Sequence, residues 1–391
     1  MLIRGLQALA LVVFAAALLM PGLQMLWPLL PTVTLTGVEQ AVERPHSSLS
    51  KIWNGAWQTE LEKWFVANLG FRGLFVRTDN QINCSLFREL PQSAGTRIIL
   101  GKNNYLYEWN YIASYNSTNY PSAEAIEAFV DKLSEFQRRL HDRGIQFMLV
   151  ISPSKAQMYP EYLPERYVRP GVDRTLSVYN HAVPLLEKRG ISFFDAPRYF
   201  RKEKKKGEYP VFPRCGTHWS SYAGAIVGRE ISVRLQKMLG QKLGVLRLTP
   251  SVYKSIPEPP DEDLAGLANV WFPEVFYERL PYPPKPRPRD RGPHSGRYRP
   301  SILIEGTSFA YLIVHYFDLY RWYRDRDLFY YFSSAHSYPG NVLWKIDRQK
   351  LDWEKHVFSR DAIIIEINEV VILEAGSGFI EAALEKLRRG R

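Results

Sequence analysis

Apolar and polar residues alternate along the chain at periods that differ from segment to segment. Amphipathic three- and four-residue spacing predicts helices, and short apolar runs predict buried strands. The predicted strands lie at 97–100, 145–151, 191–194, 301–304 and 362–365, and the clearest predicted helices lie at 123–143, 176–189 and 220–239. Gly144 and Gly190 follow two of these helices, in the position where a helix C-terminus favours glycine. This alternation predicts an α/β domain, in which a parallel sheet has helices on both faces.

The N-terminal segment is the most apolar part of the chain. After Arg4 no charged residue occurs before Glu39, and residues 6–30 are long and apolar enough to cross a bilayer as a helix. Arg4 on the short N-terminal side favours a cytoplasmic N-terminus and a body on the periplasmic side of the cytoplasmic (inner) membrane. A cleavable signal peptide is the alternative, because residues 15–17 are all alanine. The apolar run continues to Trp27, which favours an uncleaved single-pass anchor.

The chain therefore divides into three predicted regions. Residues 1–31 form the anchor or signal segment, 32–95 a helical stalk or entry region, and 96–391 the α/β domain. In the stalk, Trp53, Trp57 and Trp64 recur at helical spacing, and we expect this aromatic face to pack on the body.

Two basic stretches stand out within the α/β domain. The run at 201–206 is predicted to be a solvated loop. The segment at 281–300, rich in Pro, Arg and Lys, is predicted to be an irregular surface insertion, with a basic lip over a substrate groove as the alternative.

Charge and composition narrow the function classes. The net charge of +11 favours anionic partners, but zinc spacings, an aromatic RNA-binding signature and a recognition helix are all absent from the sequence, so a nucleic-acid partner is not expected. No phosphate-binding Gly-rich loop and no metal spacing occur, so no cofactor and no metal are implied. Cys84 and Cys215 are too few for a disulfide framework, and whether they form one bridge is left open.

Two short motifs carry candidate chemistry. Ser308 follows an apolar strand and Gly306-Thr307, at a strand-to-helix turn where helix N–H groups favour developing negative charge. A serine there also serves as an ordinary N-cap. His218 precedes a predicted helix in Thr217-His218-Trp219 and is the candidate general base, with capping or packing as the alternative. The sequence does not show whether the two side chains meet.

The order of the motifs resembles the alginate O-acetyltransferase AlgJ/AlgX-like family over roughly residues 50–385. The motifs are Ile151-Ser152-Pro153-Ser154-Lys155, Tyr159-Pro160-Glu161, Thr217-His218-Trp219-Ser220 and Gly306-Thr307-Ser308-Phe309, after an N-terminal anchor and a Trp-rich entry helix. The resemblance implies an SGNH-hydrolase-like three-layer α/β/α fold. It also implies Ser308 as the nucleophile that carries an acetyl ester, His218 as its base, an exported polysaccharide as acceptor, and a donor partner of the membrane-bound O-acyltransferase type.

One position departs from the family pattern. The family has an aspartate two residues before the histidine, where this sequence has Gly216. Three alternatives follow from this departure: another carboxylate takes the role of the aspartate, a Ser–His dyad is sufficient for catalysis, or the site has become a binding site. The candidate orienting acids are Asp195, Asp263, Glu366 and Glu369. Weaker candidates for lining the site are Thr217, Trp219, Thr307, Lys155 and Asn368, the last as an oxyanion donor.

The sequence therefore predicts O-acetyl transfer to an exported polysaccharide through a serine acyl-enzyme. A polysaccharide acetyl esterase is the first alternative, with water in place of the sugar hydroxyl. The second alternative is a catalytically degenerate glycan-binding or assembly subunit of an exopolysaccharide system, which Gly216 favours.

Overall fold

The computed structural model of the chain describes residues 2–37, 42–90, 92–93, 96–118, 120–244, 248–249, 251–285 and 297–389. The chain separates into two compact units. The first comprises Met1–Leu100 and Leu264–Phe276, and the second comprises Gly101–Asp263 and Tyr277–Arg391. Most of the predicted basic insertion, at 286–296, lies outside the described residues.

The first unit begins with an apolar helix, α1 (Leu2–Leu26). Within it, Gly5–Leu26 has a mean hydropathy of 2.2 and is long and apolar enough to cross a membrane. Its apolar side chains are exposed; Leu11, for example, is 69% exposed. This helix coincides with the predicted anchor segment.

Short helices follow within the predicted helical region: α2 (Leu49–Trp53), α3 (Ala56–Asn68) and α4 (Arg72–Ile82), then a π-helical turn and the antiparallel strands β1 (Gln92–Ser93) and β2 (Thr96–Leu100). Asn80 in α4 donates to the Ala268 carbonyl at 3.0 Å. Helices α2 and α3 contain no buried residue, and Trp53 is 94% exposed. The packing of this aromatic face on the body stays a prediction. Spacing predicts that such a face exists but not what covers it.

The second unit carries the strand–helix alternation. Its strands are β3 (Leu106–Glu108), β4 (Gln146–Ser152), β5 (Phe193–Asp195), β6 (Val252–Lys254), β7 (Leu280–Tyr282), β8 (Ser301–Gly306), β9 (Asp325–Tyr330), β10 (Ser334–Tyr338), β11 (Val342–Lys345) and β12 (Ala362–Asn368). Its helices are α5 (Trp109–Tyr115), α6 (Ala123–His141), α7 (Lys155–Met158), α8 (Val178–Lys188), α9 (Ala196–Lys206), α10 (Ser221–Leu239), α12 (Ala310–Tyr320) and α13 (Phe379–Arg389). A short helix, α11 (Asp263–Leu267), begins at Asp263.

The central sheet of the described residues has the order β11-β10-β9-β8-β12-β4-β5. From β5 to β9 neighbouring strands are parallel, as predicted, whereas β10 and β11 pair antiparallel at the edge. Ile364 on β12 lies level with Ile304 on β8 and with Met148 on β4. The carboxyl ends of β8, β12 and β4 therefore meet at one edge of the sheet, which is where ligands bind in such sheets.

Helices cover both faces of this sheet. On one face, Leu133 and Phe136 of α6 and Phe379 of α13 form a buried cluster with Ile363 and Ile365 of β12. On the other face, α10 and α12 pack against each other and contact β4 and β8 respectively. The predicted three-layer α/β/α arrangement is confirmed.

Two predicted loops are partly regular. The basic run at 201–206 forms the second half of α9, because Asp195 accepts a hydrogen bond from the Arg198 N–H at 2.8 Å and caps the helix. Gly207 ends α9 in the left-handed conformation, with φ of 70°. The Pro-rich insertion begins later than expected, because Pro281 and Tyr282 belong to β7, which pairs with β6.

Candidate active site

Ser308 lies in the turn between β8 and α12, at the carboxyl edge of the sheet, and is partly exposed. The Glu366 carboxylate fixes this turn, since it accepts hydrogen bonds from the Thr307 N–H at 2.9 Å and from the Thr307 hydroxyl at 2.7 Å. Glycine is required at 306 for this approach, because a Cβ there would lie 2.9 Å from the Glu366 Cβ. The turn therefore presents the Ser308 hydroxyl from a rigid support.

His218 lies in the segment that enters α10. Ser220 caps that helix by accepting a hydrogen bond from the Ala223 N–H at 3.2 Å. The His218 ring packs edge-on against Phe309, with ring centroids 4.9 Å apart, and Trp219 contacts the same phenyl ring at 5.2 Å. Phe309 adjoins Ser308 in the chain, so this packing places the imidazole beside the serine.

Ser308, His218 and Asp263 form one hydrogen-bonded chain. His218 Nε2 lies 2.7 Å from Ser308 Oγ, and His218 Nδ1 lies 2.5 Å from Asp263 Oδ2. Asp263 Oδ1 also accepts a hydrogen bond from the Thr217 N–H at 2.8 Å, which fixes the carboxylate. This is the arrangement of a nucleophile, a base and an orienting acid.

Gly216 is linked to the position of Asp263. A Cβ at 216 would lie 2.6 Å from the Asp261 carbonyl oxygen and 2.9 Å from Pro213 Cγ. Asp261 is itself held, because its carboxylate accepts hydrogen bonds from the Ser221 N–H at 2.8 Å and the Ser221 hydroxyl at 3.0 Å. The segment that carries Asp263 therefore occupies the space that an aspartate side chain at 216 would need.

Charges around His218 set its protonation. Burial disfavours the imidazolium, but the hydrogen bond and charge of Asp263 outweigh it, with smaller contributions from Glu108 and Glu366, so the pKa of His218 is raised. Burial also raises the pKa of Glu108, whose carboxylate accepts a hydrogen bond from the Thr217 hydroxyl at 3.2 Å. The histidine can act as a base only above its raised pKa.

The other candidate acids have different partners. Asp195 accepts hydrogen bonds from the Tyr179 hydroxyl at 2.8 Å and from the N-terminus of α9. Glu369 accepts from the Ser154 N–H at 2.8 Å and pairs with Arg201 at 2.8 Å. Glu366 supports the Thr307 turn. Among these four acids, only Asp263 has a hydrogen bond to His218 among the described residues.

Two other predicted lining residues, Lys155 and Asn368, donate hydrogen bonds to backbone carbonyls. Lys155, 1% exposed, donates to the carbonyls of Pro213, Arg214 and Gly216 at 2.7, 2.9 and 2.7 Å, and burial lowers its pKa to about 7. Its ammonium thus holds the segment that leads to His218. The Asn368 amide donates to the Pro153 carbonyl at 2.9 Å, so it orders that turn rather than pointing a free donor at an oxyanion.

Two phenols near the serine were not among the predicted site residues. Burial raises the pKa of Tyr331, and the nearby hydroxyl and backbone of Ser308 offset part of that rise. Tyr111 lies among Glu108, Glu366 and Asp263, and burial, followed by these charges, raises its pKa. Tyr331 directly follows β9 of the central sheet, so the rule that sites collect at the carboxyl ends of parallel strands would have found it. Tyr111 follows β3, which is not a strand of that sheet, so the rule does not predict it.

No group of three or more His, Cys, Asp or Glu side chains that could hold a metal occurs among the described residues. Cys84 and Cys215 are free and buried.

Comparison with known proteins shows a family that part of the chain resembles. Residues 98–273 match the sequence model of the family described as SGNH hydrolase-like domain, acetyltransferase AlgX. The chain is similar to this family over less than half of its length. It is 25% identical over 140 residues to the probable alginate O-acetylase AlgJ of Pseudomonas aeruginosa, and 23% identical over 236 residues to that of Azotobacter vinelandii. These alignments span 36% and 60% of this chain, but only 33% and 55% of the relatives.

Solved structures give further likenesses. The O-acetyltransferase domain of Pseudomonas putida AlgJ is 16% identical, with a TM-score of 0.46 over 76% of this chain and 100% of that domain. Pseudomonas aeruginosa AlgX is 13% identical, with a TM-score of 0.42 over 77% of this chain and 71% of AlgX. The family model that matches residues 98–273 describes an SGNH hydrolase-like domain, in agreement with the three-layer α/β/α arrangement.

Proposed function

We propose that this protein transfers acetyl groups to hydroxyls of an exported polysaccharide through an acetyl ester on Ser308. The observation that carries the proposal is the hydrogen-bonded chain from Ser308 through His218 to Asp263. The curated relatives are named alginate O-acetylases, which supports a polysaccharide as acceptor and makes alginate the first one to test.

In the first half-reaction, Ser308 Oγ attacks the carbonyl carbon of the acetyl donor while His218 Nε2 accepts the hydroxyl proton. Asp263 accepts the Nδ1–H hydrogen bond, which keeps Nε2 unprotonated beforehand and stabilises the imidazolium that forms. The tetrahedral intermediate collapses as the donor's leaving group departs with the proton from His218. The product is an acetyl ester on Ser308.

In the second half-reaction, a sugar hydroxyl attacks the acetyl carbonyl and His218 accepts its proton. Collapse transfers the acetyl group to the sugar oxygen, and His218 returns the proton to Ser308 Oγ. Developing negative charge on the carbonyl oxygen is stabilised near the Ser308 backbone N–H, at the start of α12, where the Tyr331 hydroxyl also lies.

The membrane segment fits this chemistry. In the proposal, α1 crosses the cytoplasmic membrane once, 32–95 forms the stalk, and 96–391 carries the reaction on the periplasmic side. A membrane-bound O-acyltransferase-type protein supplies the acetyl group from the cytoplasmic side. A degenerate binding subunit lacks its main support, because Gly216 is accompanied by an acid from elsewhere in the chain.

The test uses the full chain in detergent with a chromogenic acetyl ester. We expect Ser308→Ala and His218→Ala each to lower turnover by about 10³-fold or more. Ser359→Ala and His141→Ala, at exposed positions, are the matched controls and should leave it unchanged. Equal turnover in all variants would contradict the proposal. Product analysis with and without alginate separates transfer from hydrolysis, since only a transferase forms acetylated glycan.

A further inference from the structure

A basic groove lies between α8 and α9 in the second unit. Its cavity has a volume of about 420 Å³. Four cations line it, together with a phenol and an amide: Arg198, Arg201, Lys202, Lys205, Tyr179 and Asn180. No acidic side chain is among the described residues that line it, so the groove is suited to a negatively charged ligand.

The cations form one face of α9. Positions 198, 201, 202 and 205 follow the spacing that places side chains on a single side of a helix. The two arginines are anchored: Arg198 pairs with Glu187 at 2.7 Å, and Arg201 pairs with the buried Glu369 at 2.8 Å. The groove is therefore built on fixed guanidinium groups.

Lys202 and Lys205 differ from the arginines. Both are exposed, and neither has an ion pair or hydrogen bond to a carboxylate in the part of the chain that the structure describes. Their ammonium groups remain available to a ligand. Lys206, the next residue, instead pairs with Glu203 at 2.6 Å.

Two carboxylates that contact the arginines of the groove lie at the carboxyl edge of the sheet, the edge that holds Ser308. Asp195, which contacts Arg198 at 3.1 Å, ends β5, and Glu369, which anchors Arg201, directly follows β12. From β8 to β5 the sheet takes three inter-strand steps of about 4.8 Å, or roughly 14 Å. A polymer whose reacting sugar lies at Ser308 can reach the groove with a later part of the same chain.

We propose that this groove is an acceptor subsite for a carboxylate-bearing polysaccharide, with Lys202 and Lys205 binding sugar carboxylates. The inference rests on the proposed function and adds a second binding position for the acceptor, in the groove between α8 and α9. Ammonium and guanidinium groups hydrogen-bond carboxylates with charge assistance. Each exposed ion pair contributes little alone, so affinity should rise with the length of the glycan and fall with salt.

The experiment measures binding of polyuronate oligomers to the full chain in detergent, in a Ser308→Ala background that prevents turnover. The double variant Lys202→Glu with Lys205→Glu should weaken binding of a long oligomer at least tenfold. Lys202→Arg with Lys205→Arg keeps both charges and should retain binding. Lys237→Glu with Lys386→Glu, exposed on α10 and α13, makes the same change in net charge elsewhere and should have no effect.

A loss smaller than tenfold in the groove variant, or the same loss in the control pair, overturns the proposal. Equal binding of a neutral glucose oligomer, or equal displacement by inorganic phosphate and by polyuronate, overturns it as well. Thermal midpoints of all variants check that they fold. Failure of the proposed function would appear separately, as background turnover of the chromogenic ester by the wild-type chain.

Discussion

The exchange of Asp263 for asparagine isolates the role of this acid. Asparagine keeps an oxygen that can accept the Thr217 N–H hydrogen bond, now 2.8 Å long. The carboxylate oxygen 2.5 Å from His218 Nδ1 is replaced by an amide NH₂, which is a donor. Nδ1 must then accept a hydrogen bond, so the ring proton moves to Nε2, facing Ser308, and the histidine can no longer accept the serine proton.

The expected cost follows from this change of tautomer. Disabling the base while leaving its position intact lowers kcat by about 10³- to 10⁴-fold, or roughly 4–5.5 kcal/mol of transition-state stabilisation. The assay is steady-state hydrolysis of the chromogenic acetyl ester by the full chain in detergent. Asp195→Asn is the matched control, because Asp195 was an equal candidate from the sequence but binds Tyr179 and α9.

We expect Asp195→Asn to remain within a few-fold of the wild-type rate. If Asp263→Asn also stayed within tenfold of wild type with an unchanged thermal midpoint, Asp263 would not orient the base. A Ser–His dyad would then explain any activity.

Three further predictions follow from the same contacts. Gly216→Asp introduces the residue that the family has at this position, but its Cβ would lie 2.6 Å from a backbone carbonyl oxygen. We therefore expect it to lower ester turnover at least tenfold and not to rescue Asp263→Asn. Full activity of the double variant would refute this prediction. The value of kcat/KM should fall as pH drops through the pKa of His218, because the protonated ring cannot act as a base. Since this pKa is raised, the acid limb should lie above about pH 6.5, and it should shift to lower pH in Asp263→Asn. An acid limb below pH 6 in the wild type would refute this prediction. Glu305 is 1% exposed, and burial and the charge of Glu366 raise its pKa well above the usual value. The carboxyl therefore holds its proton more tightly in the folded protein than in the unfolded chain. For this reason Glu305 lowers the free energy of unfolding increasingly as pH rises above about 4.3. Glu305→Gln should therefore raise the thermal midpoint by about 2 °C or more near pH 8 and by less near pH 4, and the reverse order would contradict the assignment.

The sequence predicts Ser308 and His218 as the candidate pair, but it offers Asp263 only as one of four candidate acids. Motif order pointed to Ser308 and His218 because each lies at the junction of two elements. Asp263 is 45 residues from His218 in the chain. It reaches the histidine because the segment at 258–263 passes close to Gly216. Hydrophobic periodicity does not predict such a close contact between two backbone segments.

The fold, too, could be predicted from the sequence only in part. Short apolar runs predicted β4, β5, β8 and β12 of the parallel part of the sheet, whereas the antiparallel strands β10 and β11 are partly exposed and lack such runs. The misassigned helix α9 did carry signals: Asp195 at its cap, Pro197 near its start, basic residues in its last turn and Gly207 after it. These capping signals outweigh the high charge of the segment, which by itself predicts a solvated loop.

The acetyl ester on Ser308 is the intermediate on which the whole mechanism depends. The full chain, mixed with an activated acetyl ester and quenched in acid before turnover is complete, can be digested and its peptides analysed by mass spectrometry. We predict one acetyl group on the peptide that contains Ser308, absent from Ser308→Ala and strongly reduced in His218→Ala. An unmodified Ser308 peptide during active turnover, or the same acetylation in Ser308→Ala at another residue, would contradict the acetyl-enzyme mechanism.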